Sequence, residues 1–313
     1  MKNKRETTSI GEIDRNEVTD EILVTYLPGF KNHTLQLGNN SLHFVEGGNG
    51  KPLLLLPGWP ETWWSYRKTA LLLSPEYRVI IVDLPGMGSS GRMPGGYDKK
   101  SMAAALFEMT RQMGFDKVCI AGHDIGAHVA FGFAANYPEA TEKLIMLDTP
   151  HPDGSMYRLP MLPLPGMDLE DGSKMSYPWW VAFNQIRDLP SRLLKGRVSV
   201  FLDWIFDYLL TDKNAITAFD RAVYTYAYES PGGIEAGNGW YRAFPKDIDD
   251  LKSYDRLKMP VLAIGGSGYD MLTEALKPWA NDLTSAKIPE SGHFIMEEKP
   301  SQTALLMRSF LNR

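Results

Sequence analysis

The 313-residue chain has a single cysteine, Cys119, so neither a disulfide framework nor a cysteine-rich metal site can be built. Cys119 lies in the apolar run Val118-Cys119-Ile120 and reads as a buried strand residue. Long apolar runs are missing as well: no stretch approaches the ~18 residues that a membrane-spanning helix needs. The basic start, Met1-Lys2-Asn3-Lys4-Arg5, is followed from Thr7 to Asp20 by polar sequence without the apolar centre of a secretory signal. A net charge of −5 offers no excess of cations to a nucleic acid. Histidines and carboxylates nowhere fall at metal-ligand spacing, so no metal or organic cofactor is expected. These absences leave a cytoplasmic globular protein with no membrane or nucleic-acid partner.

What the chain does have is periodicity. Residues 1–30 are polar and read as an extension with a short helical piece near Val18 to Tyr26. A hairpin follows, Thr34 to Leu37 and Ser41 to Glu46 around Gly38-Asn39-Asn40. The short apolar runs Pro52 to Leu56 and Arg78 to Val82 end at Pro57-Gly58 and Asp83-Leu84-Pro85-Gly86, as buried strands do. Helix and strand then alternate: Lys100 to Met113, Lys117 to Ala121, Gly126 to Asn136, Lys143 to Leu147. That alternation implies crossover connections and a mostly parallel sheet. It stops at residue 150, gives way to a Trp-, Tyr- and Pro-rich helical stretch that includes Ser191 to Leu210, and resumes after Met259-Pro260. Val261 to Ile264 and Ser285 to Ile288 read as strands, Leu272 to Asn281 and Ser301 to Asn312 as helices. The expected division is therefore an α/β core, residues 31–149 and 255–313, interrupted by a helical lid over 150–254.

The strand Lys117 to Ala121 runs into Gly122-His123-Asp124-Ile125-Gly126, and a helix follows at once. This is a nucleophile elbow, with Asp124 in the slot that commonly holds serine. The flanking glycines leave room for a tight turn, and the amide of Ile125 falls at a helix N-terminus, where it can bind developing negative charge. A carboxylate is a weak nucleophile toward carbonyls, but it can displace a leaving group at an sp³ carbon and form an alkyl ester. An activated water then hydrolyses that ester. The substrate class is accordingly an epoxide or an alkyl halide.

His293, in Ser291-Gly292-His293-Phe294 just before the closing helix, occupies the chain position of the base. Two acids compete to orient it. Asp148 follows the strand Lys143 to Leu147, whereas Asp270 follows Val261 to Ile264 through the loop Gly265-Gly266-Ser267-Gly268. That unusual glycine-rich loop is a residue out of register, which favours Asp148. His123 and His128 flank the nucleophile and are expected to line the pocket.

With these residues in hand, the chain resembles the epoxide hydrolases of the α/β-hydrolase superfamily from about residue 27 to its end. The elbow, the loop Asp83-Leu84-Pro85-Gly86-Met87-Gly88 and Gly292-His293-Phe294 carry the likeness. The resemblance implies a mostly parallel eight-stranded sheet flanked by helices, with the cap inserted after the sixth strand. It implies an oxyanion hole from the amides of Trp59 and Ile125, and Tyr241, in Trp240-Tyr241-Arg242, as the acid that opens the ring. Homodimers occur in the family. Two departures stand out: Pro57-Gly58-Trp59-Pro60 replaces a His-Gly-x-Pro pattern, and Trp180 stands where relatives place a second Tyr or His donor, with Pro60 and Trp180 facing the pocket. Tryptophan donors hold halide in haloalkane dehalogenases, so dehalogenation is the alternative activity. A non-catalytic binding protein on the same scaffold is the reading from a different class.

Overall fold

The structure, a computed structural model, describes residues 13–174 and 176–313. The first twelve residues of the expected extension lie outside the described residues. The rest of it is short helical turns, including α1 (Asp20–Leu23), which bury Leu23 and Leu27 against the core.

β1 (Lys31–Leu37) and β2 (Asn40–Gly47) form the expected antiparallel hairpin. β3 (Lys51–Leu56) follows, and its four consecutive leucines are wholly buried, as a strand covered on both faces requires. Next come α2 (Arg67–Leu73), β4 (Tyr77–Val82), α3 (Lys99–Gln112), β5 (Val118–His123), α4 (Ile125–Asn136) and β6 (Thr141–Leu147). Six helices then intervene: α5 (Trp179–Gln185), α6 (Leu189–Leu194), α7 (Val198–Leu209), α8 (Ala218–Glu229), α9 (Gly233–Arg242) and α10 (Phe244–Leu251). The chain closes with β7 (Val261–Gly265), α11 (Tyr269–Leu276), β8 (Leu283–Lys287), α12 (Ile295–Glu298) and α13 (Pro300–Leu311).

The eight strands lie in one sheet, ordered β1-β2-β4-β3-β5-β6-β7-β8. Pairing is antiparallel only at β1–β2 and β2–β4, and parallel from there across. Crossovers between parallel strands bring their C-terminal ends to one edge, where ligands bind in such sheets. Among the described residues no helix is long and apolar enough to cross a membrane.

Two helices differ from their sequence reading. Ser191 to Leu210 is not one helix, because Gly196 adopts a left-handed φ of 69° and separates α6 from α7. The helix expected over Leu272 to Asn281 starts earlier, at Tyr269, and stops at Leu276, two residues before Pro278.

Buried charges fix the inserted helices to the core. Arg67 on α2 meets Asp220 of α8 at 2.9 Å and Glu297 of α12 at 2.5 Å, and the Tyr224 hydroxyl donates to the same Glu297 at 2.7 Å. On the other flank, Lys99 at the start of α3 donates to the Asp247 carboxylate at 2.9 Å and to the Trp240 carbonyl at 2.8 Å. Neither Lys99 nor Asp247 has an exposed side chain. Burial pushes the Lys99 ammonium down and the Asp247 carboxyl up, each against the other's charge. Removing one member strands the other, so Lys99→Met is expected to cost about 3–5 kcal/mol in urea unfolding. The double variant Lys99→Met/Asp247→Leu should recover most of that. A loss below about 1 kcal/mol in the single variant would show that the pair does not anchor the insertion.

Candidate active site

At the end of β5 the backbone of Asp124 takes φ 49° and ψ −121°, a region that side chains rarely adopt. Only missing side chains allow the chain to pack so tightly there. A Cβ on Gly122 would stand 2.1 Å from the Gly126 carbonyl oxygen, and one on Gly126 would stand 2.2 Å from that of Leu56. A Cβ on Gly58 would meet the Asp124 Cβ at 2.4 Å. The turn points the Asp124 carboxylate at the loop after β3, where the Trp59 N–H donates to its Oδ1 at 2.9 Å. The Ile125 amide opens α4, and as a first-turn donor it has no partner within the helix.

On the other side of the carboxylate, His293 Nε2 lies 3.6 Å from Asp124 Oδ2. His293 Nδ1 lies 2.8 Å from Asp148 Oδ2. Asp148 follows β6 and has its own positive φ of 59°. Its second oxygen, Oδ1, accepts from the amides of Gly266 at 2.7 Å and Gly268 at 2.9 Å. The glycine loop that looked out of register is thus wrapped around Asp148, and a Cβ at Gly268 would stand 2.0 Å from the Asp148 carbonyl oxygen. Asp270, the competing acid, lies instead on the surface, 3.2 Å from Lys287 with its side chain 80% exposed.

The row Asp124–His293–Asp148 is electrostatically coupled. Burial alone would raise Asp124, but the facing His293, with smaller contributions from His123 and His128, holds it well below the usual carboxylate range. Burial likewise opposes charge on His293, and Asp124 and Asp148 together overcome it and push the imidazole up to about 10. At neutral pH an imidazolium therefore faces an ionised Asp124.

Behind it lies a pair that the sequence did not disclose. His123 and Glu61 are fully buried, with His123 Nδ1 3.1 Å from Glu61 Oε2 and Nε2 2.9 Å from the His293 carbonyl oxygen. Burial pushes Glu61 up to about 8 and His123 down to about 3. A carbonyl only accepts, so Nε2 carries the hydrogen, Nδ1 is a bare acceptor, and Glu61 supplies the proton to it. His123 is therefore a strut under His293 and does not line the pocket as expected. The same Glu61 answers the loss of the motif histidine at Pro57: its N–H donates to the Gly58 carbonyl at 2.9 Å and its side chain ties the loop to β5. Pro60 is buried in that loop.

Tyr241 on α9 stands edge-on to the Trp59 indole, with ring centroids 5.5 Å apart. Burial, then the Asp124 charge, hold its hydroxyl well above the ordinary tyrosine value, with the nearby Trp180 side chain opposing, so it stays protonated. Tyr228 on α8 meets the same indole at 6.4 Å, and its buried hydroxyl has no partner among the described residues. In the sequence Tyr228 is one of several lid aromatics that suggest an apolar pocket, and aromatic spacing alone does not distinguish a core residue from a site residue. His128, one turn along α4 from Asp124, is buried and held well below its ordinary value, so it is neutral.

One cluster has metal-ligand atoms within reach of one another: Asp20, His43 and Asp83. Asp83 already accepts from His43 Nδ1, the Trp63 amide and the Ser89 amide, so the cluster reads as a hydrogen-bond hub joining α1, β2 and the loop after β4.

Sheet order, elbow and the acid–histidine row define an α/β hydrolase. Residues 51–300 match the family model described as alpha/beta hydrolase fold. The soluble epoxide hydrolase of Corynebacterium sp. (strain C12) is 31% identical over 86% of this chain and 92% of its own. The fluoroacetate dehalogenase of Burkholderia sp. is 27% identical over 91% and 94%. Among solved structures, Cfl2 wild-type from Burkholderia cenocepacia superimposes with a TM-score of 0.81 at 33% identity, covering 90% of this chain and 96% of that one. The chain belongs to the alpha/beta hydrolase fold family, among its epoxide hydrolase-like members.

The pairing of His293 can be tested without a substrate. Asp148→Asn should bring the His293 titration, followed by NMR, from about 10 toward its ordinary value near 6.5, whereas Asp270→Asn leaves it in place. An unchanged titration in Asp148→Asn would remove Asp148 as the partner.

Proposed function

We propose that the protein is an epoxide hydrolase that works through an ester of Asp124. The observation that carries this reading is a carboxylate in the strained elbow, bonded by the Trp59 amide on one oxygen and faced by the His293–Asp148 pair at the other. Each group has a defined step. Asp124 attacks a ring carbon, the C–O bond breaks, and Tyr241 gives its proton to the leaving oxygen. Formation of the ester removes the negative charge of Asp124, one of the two charges that raise His293. The imidazolium then returns a proton to the Tyr241 phenolate and becomes a free base. Neutral His293 takes a proton from water, which attacks the ester carbonyl while the amides of Trp59 and Ile125 hold the oxyanion. Collapse releases the diol, which takes the carboxyl proton and leaves Asp124 ionised beside an imidazolium. The six helices α5 to α10, within residues 150–254, act as a lid that brings Tyr241 and Trp180 over the nucleophile.

Dehalogenation is the second reading, favoured by Trp180 beside the Tyr241 hydroxyl, since two such donors can hold a halide. A haloacid fits poorly: Ile125 and the neutral His128 offer no cation to a substrate carboxylate.

The His293→Gln variant should accumulate the Asp124 ester, seen by mass spectrometry as an adduct on the peptide carrying Asp124. Tyr241→Phe should slow epoxide opening by roughly 10²- to 10⁴-fold. Halide release without diol formation would select the second reading. The absence of an adduct with every epoxide and halide would sink the covalent mechanism and favour a non-catalytic binding protein.

A further inference from the structure

A groove of about 430 Å³ opens on the inserted helices, between the loop after β6, α5 and α10. Its size falls in the range of small-molecule sites, ~300–1,000 Å³. Met156, Leu159, Met161, Val181, Ala182 and Ile248 give it a carbon surface, and none of its lining residues carries a charge. Its polar groups are largely occupied within the protein. The Gln185 amide donates to the Tyr241 carbonyl at 2.7 Å, and the Tyr177 hydroxyl donates to the Met161 carbonyl.

The groove backs onto the rings of Tyr241 and His128, both of which feel the Asp124 charge. Phe244 lines it, is almost completely buried, and stands 5.2 Å from the Tyr241 ring and 5.6 Å from the His128 ring. Phe244 also follows Tyr241 by three residues, so the turn that sets the proposed acid sets this wall as well. The nearest cation on that wall, Lys99, lies 5.1 Å from the Phe244 ring and is already paired with Asp247.

We propose that this groove is a subsite for the uncharged hydrocarbon arm of the substrate, with Phe244 as the partition between the arm and the reacting ring. The proposal rests on the epoxide reading above and narrows it to epoxides bearing an aliphatic chain, with no anionic group on the part that enters the groove. Haloacetate-sized molecules leave the groove empty. A protein partner is a poorer occupant, because fourteen residues line the groove, whereas a specific interface engages ~20–30 a side.

The test uses the whole enzyme and a series of linear 1,2-epoxyalkanes from four to twelve carbons. kcat/KM should rise roughly fourfold per methylene until the groove is filled, as burial of each CH₂ predicts. Ala182 is exposed on the groove wall, so Ala182→Trp should fold and should flatten the long-to-short ratio of kcat/KM. Ala182→Asp, which adds charge in place of bulk, should lower the same ratio. Phe244→Ala should raise it. Calorimetric binding of dodecane-1,2-diol against butane-1,2-diol reads the groove independently of turnover, and the preference for the longer diol should vanish in Ala182→Trp. An active enzyme with a flat chain-length series and no diol preference overturns the groove and leaves the reaction standing. Diol preference in an enzyme that opens no epoxide overturns the reaction and keeps the groove as a hydrocarbon site.

Discussion

The backbone at Asp124 is held at a positive φ in a space that three glycines leave just wide enough, and the site is built outward from that turn. Strain of this kind costs on the order of 1–3 kcal/mol and persists only where its surroundings over-determine it. Here they do: ten of the twelve residues of α4 are buried directly after the turn, and β5 lies between two parallel neighbours. If the turn relaxed, the carboxylate would leave the Trp59 amide. Gly58 belongs to the same constraint although it lies far away in sequence, because its missing Cβ is what lets the loop after β3 touch Asp124.

Charge is distributed around the turn in two tiers. The front tier carries the charge of Asp124 and His293, with Asp148 behind the histidine and satisfied further by two glycine amides. The back tier, Glu61 and His123, is fully buried and holds one proton between two groups, so it adds rigidity under the His293 backbone without adding net charge. A charged back tier would pull on His293 and Asp124 in opposite directions. Keeping it neutral leaves the affinity of His293 for its proton to the two carboxylates it faces. Under the proposed mechanism, esterification of Asp124 would then be a direct chemical signal for the histidine to change roles.

The parallel sheet, the insertion after the sixth strand and the elbow were legible in the sequence, because each is written in local periodicity or in a short motif. Asp148 was half legible. Two acids followed two adjacent strands, and only the folded loop shows why Asp148 meets His293: the amides of Gly266 and Gly268 close on its other oxygen, while Asp270 faces outward to Lys287. Glu61 and His123 were not legible as a pair, since 62 residues separate them and no spacing rule links a loop residue to a distant strand end. The break at Gly196 escaped for the opposite reason. The apolar pattern of Ser191 to Leu210 suits a single helix, and one left-handed residue outweighed it.

How a substrate reaches Asp124 follows from the same interactions. Swinging the inserted helices away as a body would expose Lys99 from Asp247 on one flank and Arg67 from Asp220 on the other. Each separation leaves a desolvated charge and costs several kcal/mol before any substrate contact compensates. Rotating one aromatic ring costs far less, and rings pack between the nucleophile's neighbours and the inserted helices: Phe244 against Tyr241, and Trp59 against Tyr241, Tyr228 and Phe201. The buried ion pairs therefore argue that the inserted helices stay docked on the core. Under the proposed reaction, access would fall to side chains, with Phe244 beside the apolar groove.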